Sequence, residues 1–482
     1  MTAIHHSAAT VRPSSRVTIG VLAVGAALAV VVAVFASQGH DRSSLAVAVA
    51  LPLVIVLLRY PWAGVLLWLA VMPFLAIGDG AAGPETWLFD RLLVPTVLAL
   101  ALGYRLVGLS RSYFRLSVTD LALAAFIVVA LANIWMLSSD TMRNTAAFYN
   151  LVMIPIAIYW LVRVIEPRER ELKWLLWIMA ALVVIQFAVG VLSWLAPSVL
   201  PAQWLGRAGE RTVGTVRGPA MYSTTLMVGG MMAMAYLSTV RGQLARWALF
   251  GIVALAFIGI GISFSRGSWA GAALVLLGLL FVRRRIALGL LAVGLVALGA
   301  VAAVNFGGIV AYATARLSDA DTAESRLVTN NAALRMIQAR PLTGFGYGNF
   351  ELFDESYKVR IGDLPAEEGS AHHTFLALAA ENGLPALLLY LFPAAWLLWL
   401  TLRRWRQVTS RDPLHGPLLV GLWLGILHEA TVMQFMDMLH SSTWGTGLWW
   451  LMLGLIHVII SRGSRPANVV RVGWTVPADL RQ

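Results

Sequence analysis

The chain is dominated by apolar segments close to the length that crosses a bilayer. An apolar helix needs about 20 residues to span hydrocarbon, where every backbone N–H and C=O must be paired within the segment. Strands of a membrane barrel would alternate polar and apolar residues, and these segments do not. The segments fall at about 17–37, 45–58, 61–78, 91–108, 119–138, 146–165, 172–196, 219–239, 247–263, 268–282, 286–305, 374–400, 415–432 and 442–460. Two of them are short, so we predict an all-α membrane bundle of about 12 to 14 transmembrane helices.

Composition agrees with lipid as the solvent for most of the surface. Of the 482 residues, 59% are hydrophobic and only 12% are charged, against about 25% charged in soluble domains. The chain has no cysteine, which excludes disulfides, thiolate nucleophiles and cysteine-based zinc sites. Val34-Phe35-Ala36 is similar to a signal-peptidase site, but the apolar run before it is longer than a signal peptide's. We therefore interpret 17–37 as the first span.

The distribution of charge predicts the orientation of the bundle. With the N-terminus in the cytoplasm, most of the 36 basic residues fall in inner loops and most of the 24 acidic residues fall outside, as the positive-inside rule requires. The net charge of +12 then reflects the topology of the bundle, and we expect no nucleic-acid partner. This threading gives transmembrane helices with short loops over 1–305, a large extracytoplasmic loop over 306–373, C-terminal helices over 374–460 and a cytoplasmic tail over 461–482.

The large hydrophilic loop at 306–373 differs from the other connections. We predict a helix from about Glu324 to Arg340, with Leu327 and Leu334 among the apolar residues on a helical spacing. The glycine-rich stretch 341–350 follows and is typical of turns. Long ordered loops in compact proteins are usually functional.

Arginines on the predicted outer face are exceptions to the positive-inside rule. One outer loop holds three of them, one stands at the end of an apolar segment, and one opens the loop helix. They are Arg207, Arg211, Arg217, Arg266 and Arg326. A guanidinium binds phosphate oxygens bidentately and keeps its charge, so the group indicates an anion site. The alternative is that each one caps a helix, snorkels or pairs with an outer acid.

Two histidines stand where the large loop enters the next span. A neutral histidine can accept a proton from a sugar hydroxyl and titrates near neutral pH. His372 and His373 would point about 100° apart on a helix, so we expect only one of them to serve a given centre. The alternative is an interfacial or capping role.

Four segments in order resemble the O-antigen ligase and O-antigen polymerase superfamily of bacterial membrane proteins. They are Arg211-x-x-Gly-Thr-x-x-x-Pro219, Ser265-Arg266-Gly267, Arg326 followed by Pro341-Leu-x-Gly-x-Gly-x-Gly-Asn-Phe350, and Ala371-His372-x-x-x-Leu-x-x-x-x-Glu381-x-Gly383. The resemblance covers about 205–400, and beyond it the chain agrees with the superfamily only in being polytopic.

The resemblance implies a multi-pass enzyme of the bacterial cytoplasmic (inner) membrane with an active site that faces outward. It would transfer a glycan from a polyprenyl (undecaprenyl) diphosphate carrier to a sugar or a lipid-anchored glycan. It implies His372 as the catalytic base and Arg211, Arg266 and Arg326 as the grip on the donor diphosphate, with Arg217 as a further substrate-binding candidate. Members usually have Asn after the histidine, where this chain has His373, so His373 is a substrate-binding candidate too. We expect no cofactor and no metal.

Several alternatives remain open at this stage. Asp319-Ala-Asp321 has the form of a divalent-cation site beside a diphosphate, although acids there also cap a helix. A polar cluster on the outer side could line the same cavity, bind a metal or pair structurally; its members are His428, Glu429, Asp437 and His440. A ligase and a polymerase would differ only in the acceptor of the glycan. A protein O-oligosaccharyltransferase would use the same transfer chemistry with a protein acceptor. A flippase of lipid-linked glycans would move them across the membrane and transfer no glycan.

Overall fold

The computed structural model describes residues 55–75, 84–107, 114–206, 211–299, 314, 320–359 and 371–463. In these ranges the chain is helical, with turns and short loops and no strand. The predicted span at 17–37 lies outside the described residues, as does most of the span at 45–58. The all-α polytopic class is confirmed.

The helices follow one another through short connections, and one of them contains a π-helical turn. In chain order they are α1 Trp62–Leu75, α2 Pro84–Leu106, α3 Val118–Leu137, α4 Thr141–Phe148, the π turn Tyr149–Met153, α5 Ile154–Ile165, α6 Glu169–Leu195, α7 Pro219–Leu237, α8 Gln243–Gly261, α9 Arg266–Val282, α10 Ala320–Ala339, α11 Phe350–Tyr357, α12 Thr374–Thr409, α13 His415–Val432 and α14 Thr443–Gly463. Residues 284–299 are helical as well.

In the described part of the chain, six helical stretches are long and apolar enough to cross a membrane. They are Val118–Leu137, Thr141–Ile165, Glu169–Leu195, Gln243–Gly261, Thr374–Thr409 and Thr443–Gly463. α1 and α9 are shorter apolar helices. Each predicted segment from 61–78 onward coincides with a helix in its described part, so these apolar segments are helical as predicted; residues 300–305 of the segment 286–305 lie outside the described residues.

The last helix, α14, forms the centre of the bundle. Its apolar window is completely buried, and it packs against α5, α12 and α13. Glycine makes this close packing possible: a Cβ on Gly447 would lie 2.4 Å from the Trp68 ring, and one on Gly454 would lie 3.1 Å from Val162. Small residues let apolar helices approach closely where lipid provides no hydrophobic drive.

The predicted helix in the large loop is confirmed as α10, and it packs on α12. The predicted face was only partly correct, because Leu327 and Leu334 are exposed. Residues of α10, the glycine-rich stretch and the first turns of α12 instead share a small apolar core. Its buried members are Ala333, Met336, Phe345, Phe350, Ala371, Ala377 and Ala380. This core fixes the loop helix against the segment that carries the two histidines.

Candidate functional site

Four residues from distant parts of the sequence line one cavity of about 220 Å³. They are Arg211, Arg266, Arg326 and His372, and each is half-buried. The remaining walls are Pro219, Ala220, Phe264, Ser265, Gly267, Val432, Phe435 and Met436. Of the described residues that line the cavity, three are arginines and none is Asp or Glu. This is an arrangement for binding an anion.

A tight turn holds Arg211 at the cavity. Gly214 is left-handed (φ 59°), and a Cβ there would lie 2.2 Å from Gln186 Oε1, so only glycine fits. The Thr215 N–H donates to Gln186 Oε1 (3.0 Å), and Gln186 Nε2 donates to Thr215 Oγ1 (2.5 Å). The Arg-x-x-Gly-Thr pattern is thus a turn anchored inside the bundle.

Thr212 provides a second anchor for the same turn. Its hydroxyl donates to the carbonyl of Ile262 (2.8 Å) and accepts from the Trp194 indole N–H (2.7 Å). Arg217, at the other end of the turn, is left-handed (φ 58°), and burial lowers its pKa. Arg217 does not line the cavity, so its predicted contact with substrate stays a prediction. Arg207 lies outside the described residues.

The Ser-Arg-Gly motif forms the start of α9. Ser265 is the N-cap and Arg266 is the first helical residue, so the positive end of the helix dipole adds to the guanidinium charge. Phe264 precedes them in a left-handed conformation (φ 49°), which costs energy for a bulky residue and is found mostly where function requires it. A Cβ on Gly267 would lie 2.8 Å from the Phe435 ring, so glycine permits this wall to close.

The glycine-rich stretch pairs with the backbone of α12. The Phe345 N–H donates to the Ala380 carbonyl (3.0 Å), and the Gly346 N–H donates to the Glu381 carbonyl (2.7 Å). Gly383 interrupts the helix with φ 82°, which exposes these carbonyls to an outside donor. The motif that ends in Pro341–Phe350 and the motif Ala371–Gly383 are therefore in direct contact. This joint fixes α10 and its Arg326 against the start of α12.

The two adjacent histidines have different surroundings. His372 lines the cavity. His373 is the N-cap of α12, where its Nδ1 accepts from the Leu376 N–H (3.3 Å), and burial lowers its pKa. Of the two, only His372 lines the cavity with the three arginines. His373 caps α12, which is the alternative role that the sequence left open for these histidines; its predicted contact with substrate stays a prediction.

A buried ionic cluster beside the cavity was not predicted as such. His440 Nε2 lies 2.9 Å from Glu381 Oε2, and His440 Nδ1 lies 2.7 Å from Asp437 Oδ2. Burial disfavours the imidazolium, but the two carboxylates outweigh it and hold the pKa of His440 well above its ordinary value. Asp437 thus pairs with His440, as the structural alternative expected. The sequence pointed to Glu381 only as a member of the motif Ala371–Gly383 and did not predict its pairing with His440.

The other half of the predicted polar cluster is separate. His428 and Glu429 are completely buried near the end of α13, and His428 packs against Gly271. Neither lines the cavity. In the described part of the chain, no group of three or more His, Asp or Glu residues could hold a metal ion. Asp319 and the side chain of Asp321 lie outside the description.

Comparison with known proteins agrees with the motifs. A search of curated proteins found no match. A family model described as O-antigen ligase matches residues 251–391, a range that contains Arg266, Arg326 and His372 and stops short of Arg211. The match over 251–391 therefore confirms the resemblance of this chain to the O-antigen ligase superfamily.

Proposed function

We propose that the protein transfers a glycan from a polyprenyl diphosphate carrier to an acceptor sugar, as an O-antigen ligase-like or polysaccharide polymerase-like enzyme. One observation carries the proposal: three arginines and one histidine, from four separate segments, line a single cavity. The family match supports glycan transfer as the class of reaction.

The arginines suit the departure of the diphosphate. When the bond between the sugar C1 and the phosphate oxygen breaks, the carrier diphosphate gains negative charge. Preorganised cations aimed at the developing charge lower the barrier, and guanidinium groups can bind phosphate oxygens in pairs. Arg211, Arg266 and Arg326 would perform this role together, since they come from three rigidly anchored segments.

His372 suits the activation of the acceptor. As the new bond forms between the acceptor oxygen and C1, the hydroxyl must lose its proton, and His372 Nδ1 or Nε2 would take it. The proton later leaves to water, which restores the neutral base. Phe264, Phe435 and Met436 line the same cavity and would limit the access of water, which competes with the acceptor for the donor.

The cavity lies at the end of the bundle that the charge distribution predicts to be outside. α7, α9 and α12 begin beside it and α13 ends beside it. The basic stretch 401–413 comprises the last turns of α12 and the loop that follows it, at the end of α12 remote from the cavity. There Arg411 donates to the Arg462 carbonyl (3.2 Å). A reporter enzyme that works only outside the cytoplasm should be active when fused within 306–373 and inactive within 401–413. The opposite pattern would reject this orientation.

The proposal needs no metal, because the arginines provide the positive charge. Transfer should then persist in EDTA, and replacing Asp319 and Asp321 by Asn should change the rate little. Chelator-sensitive transfer that magnesium or manganese restores would move the diphosphate site to these aspartates.

The direct test of the proposal is reconstitution. Purified protein would be mixed with a polyprenyl diphosphate-linked glycan and candidate acceptors, namely a lipid-anchored core, the growing glycan or a protein. Transfer without a nucleotide supports the proposal, and the acceptor that reacts distinguishes ligase, polymerase and protein glycosylation. Movement of the donor across the bilayer without transfer would show a flippase and contradict it.

A further inference from the structure

The ionic cluster of His440, Asp437 and Glu381 joins α12 to the segment 433–442, which supplies Phe435 and Met436 to the cavity wall. Glu381 is 1% exposed and Asp437 3% exposed, and the imidazole lies between their carboxylates at 2.9 and 2.7 Å. The same ring stacks on Tyr347 at a centroid distance of 4.4 Å. His440 is therefore held on two sides by charge and on one face by an aromatic ring.

Glu381 connects the cluster to the glycine-rich stretch. Its second oxygen, Oε1, accepts from the N–H groups of Gly348 (2.9 Å) and Phe350 (3.1 Å). Tyr347, in the same stretch, donates its hydroxyl to the Leu439 carbonyl (2.8 Å). The stretch that follows α10 is thus tied both to α12 and to the segment that carries His440.

The segment 433–442 connects the cluster to the cavity. Thr374 binds it at three points: the Thr374 N–H donates to the Met433 carbonyl (2.9 Å), the Thr374 hydroxyl donates to the Met436 carbonyl (2.6 Å), and the Met438 N–H donates to that hydroxyl (3.0 Å). Met436 is a wall of the cavity, and Thr374 is two residues from His372. A displacement of His440 would therefore reach both the wall and the proposed base.

We propose that His440 is a positioning residue, which holds the wall segment 433–438 and His372 in register with the three arginines. His440 itself does not line the cavity, so it acts through Asp437, Glu381 and Thr374. The inference rests on the proposed function, since it assigns His440 a role in that reaction.

The proposed role requires the charged form of His440. Two buried carboxylates without a cation between them repel each other and lose their compensation for burial. The groups that face the ring are Asp437 on its own segment, Glu381 on α12 and Tyr347 on the glycine-rich stretch. The carboxylates favour the imidazolium and hold its pKa well above the ordinary value, although burial opposes it.

A double-mutant cycle tests the coupling. His440→Gln removes the cation, and Thr374→Val removes the hydroxyl that binds Met436 and Met438. Each should lower kcat about 10- to 100-fold, the effect of a misplacement of about 1 Å, and leave donor affinity within about threefold. The double variant should be no slower than the worse single variant, because both break one path. Thr401→Val is the matched control, since Thr401 is a buried threonine at the end of the same helix that is remote from the cavity. Its hydroxyl donates to the Leu397 carbonyl (2.7 Å) and accepts from the Trp423 indole N–H (3.1 Å), so the control also removes buried hydroxyl bonds but none to the segment 433–442.

A second readout needs no activity. The chain has no cysteine, so Phe435→Cys can be labelled with a membrane-impermeant maleimide. The labelling rate should rise several-fold when His440→Gln or Thr374→Val is added and stay unchanged with Thr401→Val. If wild-type protein transfers no glycan, the proposed function fails while the labelling still decides the coupling.

Unchanged labelling and unchanged kcat in the variants would overturn the positioning role. Multiplicative loss of kcat in the double variant would overturn it as well. Should His440→Gln fail to insert, Asp437→Asn takes its place in both experiments, because it removes one of the two carboxylates that hold the His440 ring.

Discussion

Replacing Gly344 by alanine tests the joint between the glycine-rich stretch and α12. Gly344 has φ 65°, and a Cβ there would lie 2.3 Å from the Glu381 carbonyl carbon and 2.6 Å from the Asn382 nitrogen. These are backbone atoms, so neither can rotate away. The left-handed conformation costs about 1–2 kcal/mol for a residue with a Cβ, and overpacking costs about 1–3 kcal/mol.

The N–H groups of Phe345 and Gly346 bond to α12 directly beside Gly344, and each bond contributes about 0.5–1.5 kcal/mol net. The strain of about 2–5 kcal/mol is comparable to these two bonds together. The Glu381 carboxylate and the small apolar core hold the rest of the stretch, so we expect the backbone around position 344 to shift away from α12 while the transmembrane bundle stays folded. Transfer should fall at least about 10-fold, since Arg326 and His372 are carried by the two sides of the joint.

The measurement is the initial rate of glycan transfer beside the melting curve of the detergent-purified protein. Gly251→Ala is the matched control, because no atom lies within 4 Å of a Cβ at that position in α8. It should keep the rate and gain about 0.5–1 kcal/mol from helix propensity. A Gly344→Ala protein with the wild-type rate and melting curve would refute the steric argument.

The remaining predictions concern charge. Replacing Arg211, Arg266 or Arg326 by alanine should in each case remove most of the transfer activity while the protein still inserts. Lysine at these positions should restore little activity, because it lacks the planar guanidinium fork. Full transfer rates in all three alanine variants would show that the arginines are structural. Because the pKa of His440 is raised in the folded protein, its contribution to stability is complete below the unfolded value of about 6.5 and is lost as the pH rises through the folded value. Wild-type transfer should therefore fall reversibly on the alkaline side, and a pH–rate profile without this fall, or with the same fall in His440→Gln, contradicts the assignment.

The helices could be predicted from the sequence because an apolar segment in lipid must pair its backbone N–H and C=O groups within itself, which an α-helix does. The sequence also predicted four residues that line one cavity, because the positive-inside rule drew attention to arginines on the predicted outer side and the motifs selected among them. The start of α2 was missed: the helix begins at Pro84, before the predicted 91–108. Glu85, Asp90 and Arg91 make its first turns too polar for a hydropathy reading.

What the sequence could not predict depends on contacts between distant segments. Glu381 and His440 are 59 positions apart, and nothing in their spacing indicates that they form an ion pair. The left-handed Phe264 likewise follows from its packing and not from a glycine. The expectation that His372 and His373 diverge as adjacent helical side chains was wrong in its reason, because both precede α12 and His373 is its extended N-cap (φ −157°, ψ 102°). Which of the two faces the arginines required the three-dimensional joint.

The most direct test of the account compares His372→Ala with His373→Ala in reconstituted transfer, with donor binding measured in parallel. His372→Ala should lower the transfer rate by about 10²–10⁴, the usual contribution of a positioned general base, and should still bind the lipid-linked donor through the arginines. His373→Ala removes a helix cap and should cost far less. Loss of transfer in His373→Ala with a near wild-type His372→Ala would assign the base to the other histidine, and full activity in both would contradict the mechanism.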